Sequence, residues 1–134
     1  MPSPKIRQSR CKMYKILIVD DESIEREGIS FLIEKYKLPL EVAQATNGKT
    51  ALEYMRTHPV DILLTDVKMP QMDGLELARH TFEKYPDVRI LVFSAYGEFE
   101  FAKKAMAAQA VSYLLKPIEV DEFQLSLIHI SEPT

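Results

Sequence analysis

The chain has 134 residues, enough for one domain with a single core and too few for two full ones. Its 46% hydrophobic and 28% charged residues are a globular balance, which excludes wholesale disorder. A formal charge of −3 leaves no basic excess to neutralise a phosphate backbone, so no direct nucleic-acid binding is expected. No apolar run is long enough to cross a bilayer, so no membrane association is expected. The opening MPSPKIRQSRCK is basic but has no apolar core, so it is not a secretory signal. Cys11 is the single cysteine and can form no internal disulfide. Together these features read as a cytoplasmic protein.

In chain order, KILIV over 15–19 predicts a first strand, ending at Asp20-Asp21. A helix follows over 23–37, with Ser23 as its cap and Ile24, Gly28, Phe31 and Leu32 on one face. LEVAQA over 40–45 alternates and is a weaker strand. The next helix spans 47–57, capped by Asn47 and lined by Ala51, Leu52 and Met55. VDILLTDV over 60–67 is a second strong strand run, containing Asp66. A helix over 74–85 would bury Leu75, Ala78, Phe82 and Tyr85. VRILVFS over 88–94 and SYLLK over 112–116 are further strands, with alanine-rich helical sequence over 98–109 between them. Apolar runs of this length suit strands buried on both faces, and their alternation with helices predicts a doubly wound α/β fold with a parallel sheet.

In such sheets ligands bind beyond the carboxyl ends of the strands. Those ends carry Asp20 and Asp21, Asp66, Ser94 and Lys116. Any one of these could be an ordinary polar loop residue, but their coincidence on one sheet edge favours a site. Carboxylates at about 4 Å repel by a few kcal/mol per pair at an effective dielectric near 20. A hard divalent cation such as Mg²⁺, with oxygen ligands and open positions, would offset that repulsion, and Lys116 adds a further positive charge. Together they would neutralise an incoming phosphoryl group while an aspartate oxygen attacks in line. Ser94 could hydrogen-bond a phosphoryl oxygen. Asp66, on the most central run, is the best acceptor.

VDD at 19–21, LLTDVKMPQMDGLEL at 63–77, FSAYGEFEFAKKA at 93–105 and YLLKP at 113–117 closely resemble the receiver domain of bacterial two-component response regulators. The motif style is similar to receivers joined to AraC-type DNA-binding outputs. The resemblance spans roughly 13–124 and implies a flavodoxin-like, five-stranded parallel sheet of order 2-1-3-4-5. It implies a phosphorylation-activated switch with Asp66 as phosphoacceptor. Mg²⁺ would be held by Asp21, by Asp20 through water, by Asp66 and by the backbone carbonyl of Lys68. Ser94 would be the switch hydroxyl, Tyr113 the switch aromatic and Lys116 the phosphoryl-binding lysine. Pro117 would follow a cis peptide, and Gly74 would serve a tight loop. The implied partners are a cognate sensor histidine kinase and a second copy on phosphorylation, with an output domain beyond this chain. Such a domain phosphorylates itself and slowly dephosphorylates, without turning over an external substrate.

Two departures stand out. Gln109 occupies a place where the family usually has glycine. Residues 125–134, LSLIHISEPT, lack a charged helical repeat, so a truncated or irregular last helix and a non-native tail are expected there. Residues 1–12 read as a disordered leader, with Met13 as the natural start. A Mg²⁺ phosphatase with an aspartyl-phosphate intermediate is the runner-up. Those enzymes place a second acid two residues past the nucleophile, where this chain has Lys68. An interaction module without phosphorylation is a third reading, disfavoured because acceptor, metal and lysine positions are all filled.

Overall fold

The computed structural model describes residues 13–95 and 111–131. The helix expected over 98–109, and Gln109 with it, lies outside the described residues. Five strands, β1 (Tyr14–Val19), β2 (Leu40–Ala45), β3 (Ile62–Asp66), β4 (Arg89–Ser94) and β5 (Val111–Leu115), form one parallel sheet. Their order is β2-β1-β3-β4-β5, the flavodoxin-like arrangement. The described helices are α1 (Ser23–Lys35), α2 (Gly48–Thr57), α3 (Gly74–Lys84) and α4 (Val120–Ser131).

The period-2 alternation of strand side chains splits the core into two layers. Leu17, Val19, Leu63 and Val92 face one way and pack with Ala51 and Met55 of α2 and Leu75, Leu77 and Ala78 of α3. Ile16, Ile18, Leu64, Leu91 and Phe93 face the other way, against Ile29 and Ile33 of α1 and Phe123 of α4. Burial on both faces is why the strands read as unbroken apolar runs.

Several local expectations need correction. Ser23 is the first residue of α1 and not its cap; Glu22 holds the cap position, with no side-chain hydrogen bond. The face of α1 turned to the sheet is Ile29 and Ile33, while Ile24 is 74% and Phe31 60% exposed. The helix carries two apolar stripes, and the sheet accepts the one with paired β-branched residues four apart. Phe82 of α3 is likewise exposed, with Leu77 and Thr81 buried instead. The expected break after 124 is absent: α4 runs unbroken to Ser131, two residues short of Pro133. Its apolar composition does not prevent helix formation, since Leu and Gln favour helix and Asp121 and Glu122 suit its first turn. Asn47 caps α2 as expected, accepting from the Thr50 N–H at 2.8 Å.

Helix α1 ends two residues earlier than expected, in a Schellman turn. The Lys37 N–H donates to Glu34 O at 3.2 Å and the Leu38 N–H to Ile33 O at 3.0 Å. Lys37 takes the left-handed position, with φ of 53°. Leu38 packs against the α1 side of the core, the apolar contact that accompanies this motif.

Candidate functional site

Strand register assembles the site. Val19 of β1 is paired with Thr65 of β3, Asp66 of β3 with Phe93 of β4, and Ser94 of β4 with Leu115 of β5. Asp20, Asp66, Ser94 and Lys116 therefore reach one edge together. Hydrogen bonds carry the alignment past the strand ends: Asp20 N–H to Ala45 O at 3.3 Å, Val67 N–H to Phe93 O at 3.2 Å, and Lys116 N–H to Ser94 O at 2.8 Å.

Asp20, Asp21 and Asp66 each offer a carboxylate oxygen, and these oxygens lie within 4.8 Å of one another. Asp20 is fully buried, Asp66 is 6% exposed and Asp21 faces solvent. The Lys116 ammonium stands 3.3 Å from Asp66 Oδ2 and 3.9 Å from Asp20 Oδ2. It also lies 3.9 Å from Glu25 Oε1 on α1. Asp66 Oδ1 accepts the Val67 N–H at 2.8 Å, which orients the carboxylate. Asp20 Oδ1 accepts the Glu22 N–H at 2.9 Å. Its other oxygen, Oδ2, is buried with no hydrogen-bond partner. An orphaned carboxylate oxygen beside two more acids is the donor set a hard cation takes, so the residues present fit a bound metal.

The electrostatics reflect the crowding of acids at this edge. Burial, reinforced by the neighbouring Asp66, pushes the Asp20 carboxyl up to about 6, against the pull of the Glu22 N–H and Lys116. Burial works against the Lys116 ammonium, but Asp66 first, then Glu25 and Asp20, outweigh it and raise its pKa. Burial also raises the Tyr113 hydroxyl.

The loop after Asp66 closes one side of an open cleft that Asp21, Asp66, Lys68 and Lys116 line. The Gly74 N–H donates to Val67 O at 2.7 Å. A Cβ on Gly74 would collide with the Asp66 backbone carbonyl, so the close approach of chain to chain demands glycine here. Asp73 caps α3 through the Glu76 N–H at 2.8 Å.

Of the residues predicted from sequence, Asp20, Asp21, Asp66 and Lys116 are brought together. Lys68 lines the cleft with an exposed side chain. Ser94 is buried at the same edge. Tyr113 stands half-buried on β5, packed against the α2–α3 side of the core and not among the described residues lining the cleft. The Lys116–Pro117 peptide is cis. Sequence reasoning missed Glu25 and Arg26. The available signal was their placement one turn into a helix that starts at the acid pair.

The fold and the acid pocket define a receiver. The chain belongs to the response regulator receiver family: residues 16–127 match the family model for the response regulator receiver domain. It is 43% identical over 119 residues to the uncharacterized transcriptional regulatory protein YesN of Bacillus subtilis, covering 88% of this chain and 32% of YesN. It is 31% identical over 107 residues to the transcriptional regulatory protein DegU of Brevibacillus brevis, covering 80% of this chain and 45% of DegU. Among solved structures it resembles a two-component transcriptional regulator AraC from Clostridium phytofermentans, with 37% identity and a TM-score of 0.79 over 87% of this chain and 92% of that one. It also resembles the receiver domain of the response regulator AraT from Geobacillus stearothermophilus, with 39% identity and a TM-score of 0.78 over 88% and 92% of the two chains. The chain spans less than half the length of YesN or DegU. Among the described residues no helix is long and apolar enough to cross a membrane.

Proposed function

We propose that this chain is a phosphorylation-driven switch in which Asp66 accepts a phosphoryl group from a histidine kinase. The observation that carries the reading is a nearly buried carboxylate held 3.3 Å from an ammonium and within 4.8 Å of two further acids. Asp20, Asp21, Asp66 and the Lys68 carbonyl would hold Mg²⁺, which supplies charge neutralisation for the phosphoryl oxygens. An Asp66 carboxylate oxygen attacks phosphorus. The bond from phosphorus to the donor imidazole nitrogen breaks, and its electron pair returns to that nitrogen. Lys116 pairs with a phosphoryl oxygen and Ser94 hydrogen-bonds another. Movement of Ser94 frees space for Tyr113 to turn inward, carrying the change to the surface. A second copy and an output domain beyond this chain are the proposed readers, a view supported by relatives named as transcriptional regulators. Lys68, two residues past Asp66, offers no carboxylate to activate water, so slow phosphoryl loss suits the site better than turnover.

The test is intact mass spectrometry after incubation with Mg²⁺ and a small acyl phosphate. One phosphoryl adduct is expected, absent in Asp66→Asn and in chelator. An adduct that persists in either condition overturns the assignment.

A further inference from the structure

Asp20 is held at three of its four polar atoms. Its N–H donates to Ala45 O and its Oδ1 accepts from Glu22. Its backbone carbonyl accepts from Arg26, whose Nη1 stands 2.7 Å away. Only Oδ2 remains, aimed at Lys116 and without a hydrogen bond. Arg26 is half-buried on α1 and itself anchored. Its Nε donates to Gln44 Oε1 of β2 at 2.9 Å. The Gln44 amide reaches Ser30 Oγ at 3.3 Å, and that hydroxyl donates back to Arg26 O at 2.9 Å. A planar guanidinium thus ties the end of β1 to β2 and α1 through two prongs that no ammonium can reproduce.

We propose that Arg26 is a positioning residue that fixes the Asp20–Asp21 turn for divalent-cation binding. The inference rests on the metal reading of the pocket and adds a residue that touches neither the cation nor the phosphoryl group. Charge and position make opposite demands here. Removing a positive charge from the helix turn that follows the acid pair should by Coulomb's law favour Mg²⁺ binding. Losing the two-pronged tether should weaken it, because ligands left unheld bind metal less well, by about ten- to a hundredfold for such outer contacts.

The experiment is calorimetric titration of Mg²⁺ into the wild-type chain, Arg26→Gln and Arg26→Lys, with metal-free melts confirming cooperative folding. Both variants are expected to bind Mg²⁺ at least about tenfold more weakly. Their acyl-phosphate rates should recover to the wild-type value at saturating Mg²⁺. Should Arg26→Gln or Arg26→Lys fail to fold, Gln44→Ala, which removes the partner of Nε and leaves the Nη1 contact to Asp20 O, should bind about two- to tenfold more weakly. Equal or tighter binding by a folded variant overturns the positioning role, as does a rate loss that saturating metal does not restore. No binding by the wild-type chain overturns the metal reading itself, and the inference with it.

Discussion

The Lys116 ammonium lies 3.3 Å from Asp66 Oδ2 and shares itself with Asp20 and Glu25, each at 3.9 Å. The Lys116 ammonium therefore offsets charge on three acids drawn from the end of β1, from β3 and from α1 at once.

Lys116→Met leaves Asp66 and Asp20 buried without that cation. The metal-free variant should be less stable by about 1–3 kcal/mol, below the cost of breaking a fully buried pair because Lys116 is partly exposed. Added Mg²⁺ should restore the missing positive charge, so its melting shift should exceed the wild-type shift. Calorimetric melts with and without Mg²⁺ measure both, and a smaller shift in the variant contradicts the account.

Asp20 sets a pH dependence. Its folded pKa of about 6 lies above the ordinary 3.8. The folded state therefore binds the proton more tightly, and this group's contribution is fully present below about 4 and lost as pH rises through about 6. Asp20→Asn should raise the metal-free melting temperature at neutral pH and leave it little changed near pH 4. Melts across that window check the sign; an advantage that is constant with pH contradicts it.

Lys37 takes φ of 53°, a left-handed position that costs a side-chain-bearing residue about 1 kcal/mol. Lys37→Gly should raise the melting temperature by a few degrees. Mg²⁺ affinity should not change, since the substitution lies at the far end of α1 from the acids. A lower melting temperature would show that the turn gains nothing from glycine.

Gly74→Ala drives a methyl into the Asp66 carbonyl. The variant should lose about 2 kcal/mol or more and weaken Mg²⁺ binding, because the end of β3 at Asp66 and the loop carrying Lys68 must move. Denaturant unfolding and metal titration report the two effects separately. Wild-type values in both would mean the loop has room that the close approach denies.

Much of this molecule is legible in its sequence. The runs KILIV, ILLTD and RILVF announced strands buried on both faces because burial on both faces removes the polar alternation. The acids and lysine at the strand ends announced a site because a doubly wound sheet gathers those ends on one edge. Less legible is α1, where the sequence reading takes the face of Ile24 and Phe31 and the sheet takes that of Ile29 and Ile33. A helix with two apolar stripes leaves its own rotation undecided until the sheet takes one of them. The tail over 125–134 also reads as a break, although α4 continues to Ser131. The absent polar face that suggested a break concerns solvation, and helix formation itself is set by propensity and packing.

By itself the sequence determined the strand-helix alternation, the cap at Asn47, and the chemical character of the pocket. These depend on residue type and short spacing, which the chain carries locally. Only the tertiary structure decided that Lys116 meets Glu25 as well as the two aspartates. It alone revealed the Arg26 hold on the Asp20 carbonyl and the orphaned Asp20 Oδ2. Those contacts join segments distant in sequence. Strand register and the docking angle of α1 set their distances, and no local pattern encodes either.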